Sequence, residues 1–194
     1  MIIGLTGSIG MGKSATAAML RDEGIPVHDS DASVHLLYRG AAIPAIARHF
    51  PAAIVDGIVD RARLGPEVLG KPERMTLLES IIHPLVGQAR QDFINNNLAA
   101  GRSIMVVDIP LLFEIGGEKD VDIVLVTSAP DDIQERRVLA RTGMTREKFL
   151  AIRARQVPNA EKCRRAHRVI DTSIGFGSAQ LQVRAFLRSI AAFR

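Results

Sequence analysis

Short apolar runs and longer helical patterns alternate over the first 30 residues and again over the second half of the chain. Helical patterns cover 131–141 and 178–193, and another follows the first apolar run and stops near Gly24. Buried strands that alternate with helices are typical of an α/β protein with a parallel sheet covered on both faces. The pattern therefore predicts five parallel strands flanked by helices. The apolar runs that predict them lie at 2–5, 25–28, 104–107, 121–126 and, more weakly, 169–170.

Two segments do not follow this alternation. Residues from about 32 to 100 have the pattern of several helices, including an apolar stripe over 77–82 that we expect Pro84 to break. The segment from about 141 to 165 is charged and lacks a strong apolar stripe, so we expect an irregular, mobile flap. The predicted organisation is one domain, with a sheet-bearing core at about 1–31 and 101–194 and a helical insertion at about 32–100.

Composition narrows the class of protein. The chain has 194 residues, of which 47% are hydrophobic and 24% charged, and these are ordinary globular values. Its single cysteine, Cys163, excludes an internal disulfide and a cysteine zinc cluster. We find neither a basic, apolar leader nor an apolar run long enough to span a bilayer, so we expect a cytoplasmic protein that does not enter membranes.

The charge balance indicates small phosphorylated ligands. The net charge is +4, and between Asp132 and Arg168 eleven Lys or Arg accompany only four Asp or Glu. Such a surplus attracts polyanions. Aromatic residues make up only 4% of the chain and tryptophan is absent, which is poor material for stacking nucleic-acid bases.

A glycine-rich motif follows the first predicted strand. Residues 7–14, G-S-I-G-M-G-K-S, match the phosphate-loop pattern G-x-x-x-x-G-K-[ST]. Glycines let successive backbone N–H groups turn toward phosphate oxygens, and the next helix adds its positive end. We predict that Lys13 reaches the β- and γ-phosphates of ATP and that the Ser14 hydroxyl binds Mg²⁺. The predicted ATP-binding residues are Gly7, Gly10, Met11, Gly12, Lys13, Ser14 and Ala15.

The remaining motifs favour a small-molecule kinase. The N-K-x-D and D-x-x-G motifs of GTPases and the L-S-G-G-Q signature of transporter ATPases are absent from the sequence. Asp29 and Asp31 follow the second apolar run, and Asp108 ends the third. Carboxylates at strand ends can hold Mg²⁺, orient an acceptor hydroxyl or accept its proton. A helix N-cap role for Asp29 and a turn role for Asp108 stay open as alternatives.

Other candidate residues carry positive charge or an imidazole. His83 precedes Pro84 and is either a helix-end residue or a ligand. Five arginines in and before the flap supply guanidinium groups that suit phosphate oxygens, although some are expected to be solvated only. These are Arg136, Arg137, Arg141, Arg153 and Arg155.

Several segments together resemble the dephospho-CoA kinase family, over nearly the whole chain. The opening G-L-T-G-S-I-G-M-G-K-S at 4–14 is shared with many phosphate-loop proteins, whereas the later segments are more specific. They are V-H-D-S-D at 27–31, D-G-I-V-D-R at 56–61 with Leu64, I-I-H-P-L-V at 81–86 and V-D-I-P-L-L-F-E at 107–114. The tail also agrees, through Gln134, Arg137 and Arg141, Arg155-Gln156 and 169–171.

The resemblance implies the last step of coenzyme A synthesis, transfer of the γ-phosphoryl group of ATP to the ribose 3′-hydroxyl of dephospho-CoA. It implies a P-loop NTPase-type core, a helical substrate domain in the insertion and a lid at about 141–165, with ATP and Mg²⁺ as cofactors. We expect no nucleic-acid, membrane or obligate protein partner. Another nucleoside or nucleotide kinase, or a nucleotide-gated module that binds nucleic acid, is the alternative.

The resemblance also implies roles for single residues. Asp29 would lie nearest the 3′-hydroxyl, and Arg141 would belong to the lid. With Lys13 these are the predicted catalytic residues. Asp31, Arg61 and His83 are the predicted substrate-binding residues, and Ser14 and Asp108 the predicted Mg²⁺ ligands. The chain departs from the usual family pattern at Ser8, Met11, Ala15, His167 and Thr172.

Overall fold

A computed structural model describes residues 1–191. The chain forms two compact units. One comprises Met1–Val27 together with the chain from Arg102 onward, and the other comprises His28–Gly101.

A sheet of five strands confirms the predicted architecture. The strands are β1 Ile2–Thr6, β2 Val27–Asp29, β5 Met105–Asp108, β6 Ile123–Ser128 and β7 Arg168–Asp171, and their order is β2-β5-β1-β6-β7. Four of them lie in the first unit, and β2 begins at the last residue before the unit boundary, Val27. β1 runs parallel to both β5 and β6, and β6 runs parallel to β7. Leu5 pairs with Asp108 on one side and with Leu125 on the other.

Helices cover both faces of this sheet. On one face the helices α1 (Lys13–Asp22) and α9 (Phe176–Ala191) pack on a core that includes Leu5, Leu20 and Phe186. On the other face a second core includes Val107, Leu112 and Val126. The helices of this unit are α1 Lys13–Asp22, α6 Asp131–Leu139, α7 Arg146–Ala154, α8 Asn159–Arg165 and α9 Phe176–Ala191. The last predicted helical residues, 192 and 193, lie outside the described residues.

The segment 141–165 contains two helices, α7 and α8, so the expected irregular structure is wrong. The Thr145 hydroxyl accepts a hydrogen bond from the Lys148 N–H and caps α7. Phe149 is fully buried, and so is Lys162 in α8. Because one of these buried residues is a lysine, the segment lacks the apolar stripe that would predict helices.

The second unit is mainly helical and contains one hairpin that the sequence pattern did not predict. Its core includes Ile46, Phe50 and Leu64. In the hairpin, Asp56 and Gly57 have positive φ of 49° and 76°. An Asp-Gly pair favours this kind of turn, so a local signal was present. The elements are α2 Ser30–Leu37, α3 Ile43–His49, β3 Ile54–Val55, β4 Ile58–Val59, α4 Arg61–Val68 and α5 Pro72–Ala99.

The long helix α5 continues through Pro84, so the expected break at that position is wrong. A proline in a helix removes one backbone hydrogen bond and crowds the preceding turn. Leu78 and Ile82 before it and Ile94 after it are buried, and this burial on both sides offsets that cost. Despite its 28 residues, neither α5 nor any other helix within 1–191 is both long and apolar enough to cross a membrane.

Candidate active site

The phosphate loop joins β1 to α1 and needs glycine at two of its turns. Gly10 and Gly12 have φ of 80° and 85°. A Cβ atom on Gly10 would lie 2.6 Å from Val138 Cγ2, and one on Gly12 would lie 2.9 Å from Thr172 Cγ2. Within residues 1–191 Asp56 is the only non-glycine residue with positive φ. Ser8 therefore fits the loop without backbone strain.

The loop ends at the start of α1, where the helix presents its positive end. Gly12 is the N-cap residue and has no side chain to bond the first backbone N–H groups. The first turn also contains no acidic residue. These N–H groups and the helix dipole together favour an anion.

Lys13 and Asp108 come together at this point, although they are far apart in sequence. Lys13 Nζ lies 2.6 Å from Asp108 Oδ1, and the two side chains are 16% and 3% exposed. Asp108 is the last residue of β5 and is paired with Leu5 of β1, which places its carboxylate beside the loop. Ser14 lies in the first turn of α1 with its side chain exposed.

Met11 and Thr172, two departures from the family pattern, form hydrogen bonds that hold the loop. Met11 is fully buried, and its Sδ accepts a hydrogen bond from the Ala129 N–H at 3.1 Å. The Thr172 hydroxyl lies 3.1 Å from the Met11 carbonyl oxygen, to which it can donate. Arg137 donates to Thr172 Oγ1 at 2.9 Å and to its carbonyl oxygen at 2.6 Å. Arg137 lies in α6 and holds Thr172 beside the loop, so it is not one of the arginines that are solvated only.

The other flap arginines lie nearer solvent. Arg141 follows α6 and is exposed. Arg136 pairs with Asp132 at 3.3 Å on an exposed face of α6. Arg153 lies 3.6 Å from Asp131 and over the ring of Phe149.

In the second unit, Asp29 caps α2, so the N-cap alternative holds. Its Oδ1 accepts a hydrogen bond from the Ala32 N–H at 3.0 Å, and its carbonyl oxygen accepts one from the Ser33 hydroxyl at 3.0 Å. The same hydroxyl lies 3.3 Å from His28 Nε2. Burial lowers the pKa of His28, and the charge of Arg90 lowers it further. The cap holds the Asp29 carboxylate at the start of α2.

The predicted substrate-binding residues occupy helical positions in this unit. Asp31 is exposed in the first turn of α2. Arg61 is the first residue of α4, and its Nη1 donates to His35 Nε2 at 2.8 Å. His83 is exposed in the middle of α5, which corrects the expectation that it could be a helix-end residue.

Comparisons with known proteins agree over nearly the whole length of the chain. The family model for dephospho-CoA kinase (CoaE) matches residues 1–176. The dephospho-CoA kinase of Mesorhizobium japonicum is 52% identical over 187 residues, which are 96% of this chain and 95% of that protein. The chain belongs to the dephospho-CoA kinase family.

Solved structures show the same fold. A crystal structure of a protein from Thermus thermophilus is 36% identical, with a TM-score of 0.85 over 100% of this chain and 98% of that one. The dephospho-CoA kinase from Campylobacter jejuni is 19% identical, with a TM-score of 0.70 over 97% and 96% of the two chains, and shows the fold alone. Membership in the dephospho-CoA kinase family makes this chain an ATP-dependent kinase.

The first unit of this dephospho-CoA kinase also contains a cavity that the sequence did not predict. A cavity of about 1070 Å³ is lined by Ser8 of the loop, by Gln134 of α6 and by Gln156 between α7 and α8. Asp171 lines it too, and hydrogen bonds from Ser173 lower the pKa of this carboxyl. Gln134 and Gln156 belong to segments that carried the family resemblance, which was the only signal for them.

Proposed function

We propose that this protein transfers the γ-phosphoryl group of ATP to the ribose 3′-hydroxyl of dephospho-CoA, which gives coenzyme A and ADP. The observation that carries the proposal is the pairing of Lys13 with Asp108 beside a glycine-built phosphate loop, in a chain of this family.

The loop and Lys13 act on the phosphates. The backbone N–H groups at the start of α1 and the Lys13 ammonium supply positive charge where the transferred phosphoryl oxygens become more negative. Gly7, Met11 and Ala15 contribute backbone rather than side-chain chemistry. The cap-free first turn of α1 supports this assignment.

Asp29 acts on the acceptor. Its carboxylate orients the 3′-hydroxyl and takes its proton as the new P–O bond forms and the bond to the ADP oxygen breaks. The helix cap supports this role because it holds the carboxylate in one orientation before the acceptor binds.

The remaining predicted residues bind the charged parts of the two substrates. Arg141 covers the phosphates from the lid at about 141–165 and helps to exclude water, which would otherwise hydrolyse ATP. Asp31, Arg61 and His83 belong to the helical substrate domain and bind dephospho-CoA. The exposed position of these side chains supports access by a ligand.

The residues beside the loop fit a magnesium ion. Ser14 offers a hydroxyl and Asp108 a carboxylate, and hard oxygen ligands are those that Mg²⁺ prefers. Within residues 1–191, no three His, Cys, Asp or Glu side chains gather into a metal-binding cluster, whereas nucleotide-bound Mg²⁺ typically uses only one or two protein oxygens. When bound, the ion supplies positive charge that neutralises the phosphate oxygens.

We place the reaction in the cytoplasm, with small-molecule substrates and no nucleic-acid, membrane or obligate protein partner. A coupled assay for ADP, run in parallel with dephospho-CoA, AMP, CMP and dTMP as acceptors, tests the substrate. Of the four acceptors, we expect only dephospho-CoA to give rapid ADP release from ATP. Faster release with one of the nucleotides would assign the chain to another kinase, and steeply salt-dependent binding to DNA or RNA without phosphorylation would overturn the proposal.

A further inference from the structure

Two glutamine side chains hydrogen-bond to the backbone of the same residue of the phosphate loop. Gln134 Nε2 donates to the Ile9 carbonyl oxygen at 2.7 Å, and the Ile9 N–H donates to Gln156 Oε1 at 3.0 Å. Gln134 lies in α6 and is 1% exposed. Gln156 lies in the short connection between α7 and α8. Both polar groups of the Ile9 backbone therefore bond to side chains from other elements.

The loop needs such a brace at this position. Gly10 follows Ile9 with φ of 80°, and a glycine allows the neighbouring peptide to rotate at little cost. A rotated peptide would aim its N–H or C=O group in a new direction, which would alter the charge presented to a phosphate. The bond from Gln134 to the Ile9 C=O opposes rotation of the Ile9–Gly10 peptide. The bond of the Ile9 N–H to Gln156 fixes the preceding peptide, Ser8–Ile9, so the loop is held on both sides of the Ile9 Cα.

Gln156 is itself anchored. The next residue, Val157, donates its N–H to Glu114 Oε1 at 2.8 Å. Lys162 Nζ lies 2.8 Å from the same oxygen, and the lysine is 0% exposed. The buried ion pair thus fixes the connection between α7 and α8 to the chain that follows β5, and the connection carries Gln156 to Ile9.

We propose that Gln156 is a positioning residue for phosphoryl transfer, which fixes the Ile9 N–H of the phosphate loop from the base of the α7–α8 segment. The proposal rests on the proposed function, because it assigns the loop to the transferred phosphate. Gln156 acts through Ile9 and Gln134 completes the brace. The ion pair of Glu114 with Lys162 keeps Gln156 within hydrogen-bond distance of the Ile9 N–H.

Amide hydrogen exchange tests the contact, and steady-state kinetics tests its use. Gln156→Met keeps the length of the side chain and removes the strong acceptor, whereas Gln156→Glu keeps an acceptor oxygen. NMR measures hydrogen exchange of the Ile9 N–H in the substrate-free protein. We expect Gln156→Met to speed this exchange by at least about tenfold. Gln156→Glu should leave this exchange near the wild-type rate.

In the kinetic arm, kcat of Gln156→Met should fall by about three- to tenfold, the ratio that corresponds to the net free energy of one hydrogen bond. The KM for dephospho-CoA should stay unchanged, because Gln156 does not act on the acceptor. Gln180→Ala in α9 is the control, since Gln180 is also half-buried and bonds to Glu23. This control should change neither the Ile9 exchange nor kcat.

Two results would overturn the proposal. Wild-type exchange of Ile9 in a folded Gln156→Met protein would show that the contact does not form in solution. Faster exchange with unchanged kcat would show that the contact does not serve transfer. The exchange measurement uses no substrate, so its result is valid even if the acceptor proves to be a different alcohol. In that case kcat of the wild type and of the variants would be compared with that alcohol as the acceptor.

Discussion

In the proposed function, the phosphate side of the site depends on Lys13 and Asp108. Lys13 was predictable because it belongs to a local motif with a known physical requirement. Asp108 was predictable because an aspartate that ends a central parallel strand must lie at the same sheet edge as the loop. The distance of 2.6 Å between Nζ and Oδ1 places both charges beside the first turn of α1.

Lys13→Ala should lower kcat by at least about two orders of magnitude, since it removes a charge that stabilises the transferred phosphoryl group. The measurement is ADP release with ATP and dephospho-CoA. Lys119→Ala, an exposed lysine of the same unit, is the control and should retain normal turnover. Near-normal turnover of a folded Lys13→Ala protein would contradict the role given to this lysine.

Asp29→Asn separates the two roles of Asp29. Asparagine caps helices about as well as aspartate, so α2 and the melting temperature should be retained, while the loss of the carboxylate abolishes proton acceptance. We expect ATP binding by titration to be unchanged and phosphoryl transfer to fall by at least about a hundredfold. Asp60→Asn, at the cap of α4, provides a matched control for melting. Retained transfer would move the step to Asp31 or to positioning alone.

His28 should make stability depend on pH. Burial and then the charge of Arg90 lower its pKa in the folded state, so the unfolded chain binds the proton at a higher pH. This contribution is fully present above about pH 6.5 and is lost as the pH falls through the lowered pKa. Between about pH 7.5 and 5.5, the free energy of unfolding should fall less in His28→Leu than in the wild type. His49→Asn, an exposed histidine, should retain the wild-type slope; an equal slope in His28→Leu would contradict this account.

At the scale of elements, the sequence pattern predicted the sheet and the phosphate-loop connection, because buried parallel strands are nearly continuous apolar runs. It failed where stability comes from contacts distant in sequence. α5 continues through Pro84 because residues on both sides of the proline are buried. α7 and α8 form around Phe149 and a buried lysine, and this combination has no periodic apolar signature.

The ion pair of Glu114 with Lys162 should be essential to the stability of α8. Lys162 Nζ is 2.8 Å from Glu114 Oε1, yet it makes no aligned hydrogen bond within the described residues, so the carboxylate charge is its main compensation. Glu114→Ala leaves a buried ammonium unpaired and should lower the free energy of unfolding by about 3–5 kcal/mol. Lys162→Met should cost less, since Glu114 is 13% exposed and keeps the Val157 N–H.

Urea denaturation of these two variants and of Glu114→Gln combined with Lys162→Met measures the effect. The double variant should recover much of the loss, because no unpaired charge stays buried. Arg164→Ala, which removes an exposed partner of Glu161, is the control and should change little. Equal, small costs for all variants would contradict the role of the pair.

The contacts of Gln156 and His35 show what the sequence could not predict. His35 lies 26 positions before Arg61 and Gln156 lies 147 positions after Ile9, and neither spacing has a local rule that would join the partners. The family resemblance pointed to Arg61 and Gln156 without giving their partners. Such side-chain contacts depend on how elements pack, which periodicity and motifs do not specify.

At the scale of the whole molecule, the proposed residues are divided between the two compact units. Lys13, Ser14, Asp108 and Arg141 belong to the unit that carries the phosphate loop. Asp29, Asp31, Arg61 and His83 belong to His28–Gly101. In the proposed function, the first set acts on the phosphates of ATP and the second on the alcohol acceptor.

The most direct test of the central claim is identification of the product. The full-length chain is incubated with ATP, Mg²⁺ and dephospho-CoA, and the products are analysed by mass spectrometry and ³¹P NMR. We predict coenzyme A that carries its new phosphate on the ribose 3′-oxygen, with an equal amount of ADP. ADP formed while dephospho-CoA is recovered unchanged, or a phosphate at any other position, would contradict the account.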